Sequence, residues 1–213
     1  MGVYVFGLFV LAMGVAFSIN SQLGVSPVNT LPFVISQILG TQVGMWTTAL
    51  MALFVAAQIA ILRKKFKWIN LTQVIFAFIF GFFVDFTRWI LGDFLIPTYF
   101  GQLAMLAISI VLIAAGIVLF MSARLVNLPP EGFCAVIADK YLGGKFHIAK
   151  IIMDSALVAA GIALSLLFLG GLIGVREGTV ISAVLIGKII PAIKKALTPI
   201  LSKLQPPEPN QQT

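Results

Sequence analysis

Long apolar runs separated by short polar connections dominate this chain. A membrane-spanning helix needs about 20 mostly apolar residues, because each residue rises about 1.5 Å and the hydrocarbon core is about 30 Å thick. Six runs are long enough, and they lie at 2–20, 44–62, 69–91, 102–122, 147–169 and 178–196. The pattern therefore predicts an all-α transmembrane protein with six spans.

Two connections, 21–43 and 124–146, are too long and too apolar to be ordinary loops. Each contains a proline-led run, SPVNTLPFVISQIL in the first and LPPEGFCAVIADKYL in the second. About 13 residues of helix reach only about 20 Å, which is too short to cross the membrane. We therefore expect two short helices that are either re-entrant or interfacial, and both alternatives stay open.

The two halves of the chain resemble each other. A shift of 102 residues places Gly14 on Gly116 and Pro27 on Pro129, and each half then reads span, short helix, span, span. Because three spans per half is an odd number, the second half must enter the membrane from the opposite side, which predicts inverted repeats. The predicted units are a first repeat, an outer linker, a second repeat and a cytoplasmic polar tail, at 1–93, 94–101, 102–197 and 198–213.

Composition supports the membrane interpretation and excludes a soluble domain. Hydrophobic residues make up 60% of the chain and charged residues 10%, whereas a soluble domain carries about 25% charged residues. The net charge of +7 comes from short clusters between apolar runs, so it indicates membrane orientation and requires no nucleic acid. The lipid bilayer is the expected partner, and a homo-oligomer or a membrane partner subunit stays open.

The distribution of Lys and Arg predicts the orientation. Eleven basic residues fall on the side that holds both termini, and two fall on the other side, at Arg88 and Arg176. The eleven are Arg63, Lys64, Lys65, Lys67, Arg124, Lys140, Lys145, Lys150, Lys194, Lys195 and Lys203. Because basic loops stay in the cytoplasm, we expect a protein of the bacterial inner membrane with both termini cytoplasmic. The Pro-rich end of the tail, QPPEPNQQT, is expected to be disordered.

Ionisable residues inside spans are costly, so each requires an explanation. Asp154 and Lys188 fall at similar depths in the fifth and sixth spans, so an interior ion pair that opens during transport is one interpretation. A static pair is the alternative, and so is a pair between Asp154 and Lys150 one helical turn away. Asp85 and Arg88 share a face near the outer end of the third span, where an interfacial pair would suffice.

The starts of the two short helices carry the other candidate binding residues. Ser26, Asn29 and Thr30 begin the first helix, and Glu131 begins the second. Free N–H groups and these side chains could bind a polar solute, while helix capping is the simpler explanation. Asn20 lies just before the first of these starts. The predicted solute-binding residues are therefore Asn20, Ser26, Asn29, Thr30, Glu131, Asp154 and Lys188.

The stretch NSQLGVSPVNTLPFVISQILGTQVG resembles the signature of the YczE/YyaS/YitT family of bacterial membrane proteins, in which a Leu-Gly-Val-Ser-Pro turn follows the first span. LPPEGF and the Arg-Glu-Gly-Thr stretch at 176–179 fit the same resemblance, which covers most of 1–197. One departure is Val28, where an aromatic residue is expected. The resemblance implies a plasma-membrane protein of about six spans and brings no substrate with it.

Two functions are compatible with these patterns. A secondary transporter or permease of a small polar solute is favoured by the inverted repeat, the short helices and the buried charges. A substrate-capture subunit of an uptake complex is the alternative, with the small Ala12/Ala16 face of the first span docking on a partner. An enzyme is not expected, and neither is a cofactor or metal, because the single His147 and single Cys134 form no nucleophile–base or ligand cluster.

Overall fold

The computed structural model describes residues 1–204 except positions 67, 93 and 124, without the side chains of 200–204. The expectations for the disordered tail, Lys67 and Arg124 lie outside these residues. The described residues form eight α-helices and no β-strand, which confirms the all-α prediction. The helices are α1 (Gly2–Asn20), α2 (Pro27–Leu39), α3 (Val43–Leu62), α4 (Thr72–Leu91), α5 (Tyr99–Ser122), α6 (Pro129–Tyr141), α7 (Phe146–Leu169) and α8 (Glu177–Leu204).

Five helices, α1, α3, α4, α5 and α7, are long and apolar enough to cross a membrane. Large apolar side chains point away from the bundle on several of them, as with Phe78 at 68% and Leu167 at 76% exposure. Soluble proteins rarely expose such surfaces. The sixth predicted span falls within α8, which is not among the five because Lys188, Lys194 and Lys195 interrupt its apolar character.

Helices α1 and α5 cross in antiparallel directions at unusually short distance. A Cβ atom on Gly14 would lie 2.8 Å from the Ile113 nitrogen, and one on Gly116 would lie 2.6 Å from the Leu11 nitrogen. A shift of 102 residues converts the first of these contacts into the second, because Leu11 then falls on Ile113. The sequence similarity between the halves is therefore matched by one pair of exchanged contacts at the centre of the bundle.

The short helices pack across the halves of the chain. Helix α2 packs against α7, and α6 packs against α3, so each half holds the short helix of the other. Within the halves, α1 packs on α4 in the first and the corresponding α5 packs on α8 in the second. The correspondence between the halves is incomplete, because α3 and α4 pack together while α7 and α8 have no comparable contact among the described residues.

Both short helices begin inside the bundle and end at its surface. Thr30, near the start of α2, lies against Gly161 in the middle of α7. In α6, the Cys134 sulfur lies 3.5 Å from the Met153 sulfur, well within α7. Helix α2 then ends next to the start of α3, whereas the Lys140 ammonium of α6 donates to the carbonyl of Ile61 at the end of α3, at 3.0 Å. The two helices therefore emerge at opposite ends of the bundle.

Those ends are distinguished by their connections. At the basic end, which carries Arg63–Lys65, the Tyr4 hydroxyl donates to the carbonyl of Val126 at 3.0 Å. At the opposite end, the Gly178 N–H donates to the carbonyl of Leu23 at 2.7 Å. These bonds join the two halves at both ends, so the halves form one interlocked bundle.

The small face of α1 is not free to dock on another protein. Ala12 and Ala16 are fully buried within the chain, and the Thr87 hydroxyl of α4 donates to the carbonyl of Ala12 at 3.2 Å. The expectation that this face binds a partner subunit is wrong, because α4 and α5 already cover α1.

Substitution of Gly116 by Ala should destabilise the bundle. The new methyl group would press on the Leu11 backbone, and such overpacking costs about 1–3 kcal/mol. Gly187→Ala is the matched control, since a Cβ at Gly187 meets nothing within 4 Å and Ala favours helix over Gly by about 1 kcal/mol. Thermal unfolding in detergent should therefore place the two variants on opposite sides of the wild-type midpoint. Equal midpoints would show that the α1–α5 crossing tolerates a wider separation.

Candidate functional site

The polar side chains at the start of α2 are bonded to one another. Ser26 occupies the N-cap position, but its hydroxyl accepts from the Asn29 amide at 2.8 Å and not from a backbone N–H. The Thr30 hydroxyl donates to the carbonyl of Ser26 at 3.2 Å. All three residues are buried. The prediction that these three residues lie together at the start of the helix is confirmed. The expected hydrogen bond from a backbone N–H to a capping side chain is not formed by Ser26.

A pocket of about 440 Å³ opens at the opposite end, between the end of α1, the α1–α2 connection, the second half of α2 and the α7–α8 connection. We call it the opposite-end pocket. Its charged side chains among the described residues are Arg88 and Arg176, and its amide side chains are Asn20, Gln22 and Gln37. Arg176 also donates to the carbonyl of Gln22 at 3.2 Å, which ties the second half to the first. The pocket suits a polar or anionic group.

A second pocket, of about 500 Å³, opens at the basic end between α3, α4, the end of α5 and the start of α6. We call it the basic-end pocket. Its polar side chains are amides, from Gln58, Asn70, Gln73 and Asn127. Gln58 donates to Gln73 at 3.3 Å and to the carbonyl of Pro129 at 3.2 Å. The start of α6 is thus held by an amide of α3 at the inner limit of this pocket.

The two pockets occupy corresponding places in the two halves. Lining residues Gly24, Val25 and Phe33 of the opposite-end pocket fall, after the shift of 102 residues, on lining residues of the basic-end pocket. Those counterparts are Val126, Asn127 and Ala135. Each pocket therefore lies beside one short helix and the connection that precedes it, at one end of the bundle.

Glu131 lies at the start of α6, and its Oε2 atom is buried without a hydrogen-bond partner among the described residues. Burial raises the pKa of the Glu131 carboxyl, while the positive charge of Lys150 opposes this effect. Asp154 also acts on Glu131 electrostatically, so the structure brings two of the predicted site residues together. Sequence spacing could not show this, because the two residues lie on different helices.

The expected ion pair between Asp154 and Lys188 is wrong. Asp154 accepts from Lys150 one turn away on α7, at 3.0 Å, and Lys188 is exposed on α8. The helical spacing of Lys150 and Asp154 allows this pair without any tertiary contact. The poor packing between α7 and α8 removes the basis for the longer-range pair.

Asp85 does not serve only as a partner for Arg88. Its Oδ1 atom accepts from the Gly44 N–H at 2.7 Å, so it caps the start of α3 from the neighbouring α4. The close approach is possible because Gly44 and Gly81 face each other. Arg88 acts on Asp85 electrostatically and also lines the opposite-end pocket.

Sequence reasoning did not assign several pocket residues, among them Gln58, Arg88 and Arg176. Gln58 was hidden inside an apolar run, although a polar amide in a span is itself a signal. Arg176 was used only as an orientation signal, and Arg88 as an orientation signal and as a partner for Asp85. Their place in one pocket depends on the packing of the two halves.

Comparison of the amino-acid sequence with known proteins places the chain in a family. Residues 1–195 match the sequence profile of a family of unknown function, DUF6198. The chain is 29% identical over 192 residues to the uncharacterized membrane protein YczE of Bacillus subtilis, which covers 88% of this chain and 81% of the relative. It is 26% identical over 137 residues to the uncharacterized protein YyaS of the same organism, with coverage of 64% and 67%. The predicted resemblance is confirmed, and no solved structure matches the chain.

A double-mutant cycle should distinguish the two lysines near Asp154. Asp154→Asn and Lys150→Met should couple by about 0.5–1 kcal/mol, because the side chains are partly buried and within hydrogen-bond distance. Asp154→Asn and Lys188→Met should be additive. Chemical unfolding in mixed micelles measures both cycles, and coupling confined to Lys188 would contradict the arrangement described above.

Proposed function

The chain belongs to the DUF6198 family, and we propose that this integral membrane protein is a secondary transporter or permease of a small polar solute. The observation that carries the proposal is the pair of corresponding pockets that approach the centre of the bundle from opposite ends. A solute carrier needs access from each side of the membrane in turn, and paired sites between two halves supply such access.

In this proposal the bundle has six spans, with α8 as the sixth, arranged as two inverted repeats. The antiparallel crossing of α1 and α5 supports inversion, since corresponding helices run in opposite directions. The exchanged packing of α2 on α7 and of α6 on α3 supports a twofold relation between the halves. Both termini are then cytoplasmic, and the basic end faces the cytoplasm.

The two short helices act as re-entrant segments in this scheme. The start of α2 lies against Gly161 within α7, and the start of α6 lies against Gln58 in the last turns of α3. Lipid cannot satisfy backbone polar groups at such buried helix starts. Local hydrogen bonds at Ser26 and the amide of Gln58 meet that requirement inside the protein. Small displacements of α2 and α6 would open one pocket inward and close the other.

The linings favour a solute that carries polar and anionic groups. Arg88 and Arg176 suit a carboxylate or phosphate at the opposite end, since guanidinium groups bind these anions through paired hydrogen bonds. The amides of the basic-end pocket can donate to and accept from a neutral or zwitterionic solute.

Cysteine accessibility tests the orientation. On a Cys134→Ala background, Asn127→Cys in the basic-end pocket should react with an impermeant thiol reagent only from the cytoplasm. Gln37→Cys in the opposite-end pocket should react only from outside. The prediction follows from the Lys and Arg distribution, and labelling of both positions from one side would contradict both inversion and the placement of the pockets.

Uptake into proteoliposomes tests transport directly, with radiolabelled alanine, succinate and glycerol as zwitterionic, anionic and neutral probes. Ala135→Trp places an indole in the basic-end pocket and should reduce uptake of the active probe about tenfold, equivalent to about 1.4 kcal/mol of lost binding. Ala156→Trp is the matched control, because Ala156 is exposed on the outer face of α7. Binding of a probe without entry into the vesicles would favour a substrate-capture subunit instead.

A further inference from the structure

We propose that the carboxyl group of Glu131 binds and releases the proton that couples solute movement to the proton gradient. The coupling role rests on the proposed permease function, whereas proton binding at Glu131 stands on the geometry of α6. The chemistry is a simple association, in which a carboxylate and a proton form a neutral carboxylic acid.

The first observation is the absence of any described partner for the Oε2 atom of Glu131, which is buried. A buried ionised carboxylate normally accepts several hydrogen bonds, because it loses its hydration on burial. A neutral carboxylic acid costs far less free energy in such a place. The surroundings therefore favour the protonated form.

The second observation is that the helix start offers few donors. A carboxylate near a helix N-terminus is usually stabilised by free backbone N–H groups. Here Pro129 and Pro130 have no N–H, and the Gly132 N–H donates to the carbonyl of Leu128 at 2.9 Å. Only the N–H of Glu131 itself reaches the carboxyl within this turn. Helix capping therefore does not account for the glutamate.

The third observation comes from the corresponding position in the first half. The shift of 102 residues places Glu131 on Asn29, a neutral residue whose amide bonds to Ser26. The counterpart of Ser26 is Leu128, which has no hydroxyl. The same turn therefore folds around an uncharged side chain in one half, and the carboxyl group in the other half is not required by the fold.

The neighbouring charged and titratable groups give Glu131 one counter-ion, Lys150, which it shares with Asp154. On α7, Lys150 is paired with Asp154 at 3.0 Å, and the negative charge of Asp154 opposes ionisation of Glu131. On α1, the Tyr4 hydroxyl donates elsewhere, to the carbonyl of Val126. The Cys134 thiol of α6 lies against Met153. The nearby side chains of α3 and α4, at Gln58 and Gln73, are uncharged.

The basic-end pocket provides a route for the proton. Gly132 lines this pocket directly after Glu131, beside the amides of Gln58 and Gln73. Water in the pocket can carry protons to within one residue of the carboxyl group. In the proposed permease, one pocket closes as the corresponding pocket opens. A displacement of α6 that closes the basic-end pocket would therefore also close this route for the proton.

Thermal unfolding at several pH values tests proton binding without any solute. Because burial raises the pKa of Glu131, the wild-type chain should lose stability relative to Glu131→Gln as pH rises above the ordinary glutamate pKa. The thermal unfolding midpoints of the wild type and the variant should agree at about pH 4.5. At about pH 8 the midpoint of the variant should be higher by about 2–4 °C. Asp139→Asn, which removes an exposed carboxyl group from the same helix, is the control and should not reproduce the stabilisation expected of Glu131→Gln at high pH.

Two outcomes of this experiment would overturn proton binding. A constant difference between wild type and Glu131→Gln at every pH would show a purely structural role. A wild-type midpoint that rises relative to the variant at high pH would show a stabilised carboxylate.

Coupling is tested separately with the probe, alanine or succinate, that enters proteoliposomes. The wild-type entry rate should increase when a proton gradient is imposed. For Glu131→Gln, the entry rate with the gradient divided by the entry rate without it should be near one, whatever the absolute rate. If this ratio is the same in the variant as in the wild type, the coupling role is overturned. If neither probe enters the wild-type vesicles, the permease proposal fails while the unfolding experiment still decides proton binding.

Discussion

The antiparallel crossing of α1 and α5 constrains the rest of the bundle. At Gly14 and Gly116 the two backbones approach so closely that no side chain fits between them. This contact fixes the separation of the halves and leaves α4 and α8 to pack on either side. It also fixes where the short helices can enter, because α2 and α6 fill the space between α3 and α7 that the crossing leaves open.

The halves share a plan but differ in chemistry at their centres. Thr30 of α2 lies against Gly161 of α7, whereas Gly132 of α6 lies against Gln58 of α3, so the glycine is on the long helix in one contact and on the short helix in the other. The polar groups at the start of α2 bond within α2. The start of α6 instead accepts from the amide of Gln58, which lines the basic-end pocket.

The sequence predicted the helical elements well because their signals are local. Apolar length, prolines at helix starts and the Gly14–Gly116 similarity located seven helices within a few residues and placed Ser26, Asn29 and Thr30 together. It failed where the answer depends on which helices touch. The partner of Asp154, the covering of Ala12 and Ala16, and the convergence of Arg88 and Arg176 all follow from tertiary packing, which hydropathy does not encode.

The interlocking of the halves also constrains how the protein is made. Helix α2 emerges from the ribosome long before α7, the helix that covers it, whereas α6 emerges after its own cover α3 is already in place. The start of α2 must therefore survive for a time in lipid without its final neighbour. Its internal bonds, from Asn29 to Ser26 and from Thr30 to the carbonyl of Ser26, need no other helix. The start of α6 depends less on such internal bonds, because α3, whose Gln58 amide donates to the carbonyl of Pro129, is already present when α6 is made.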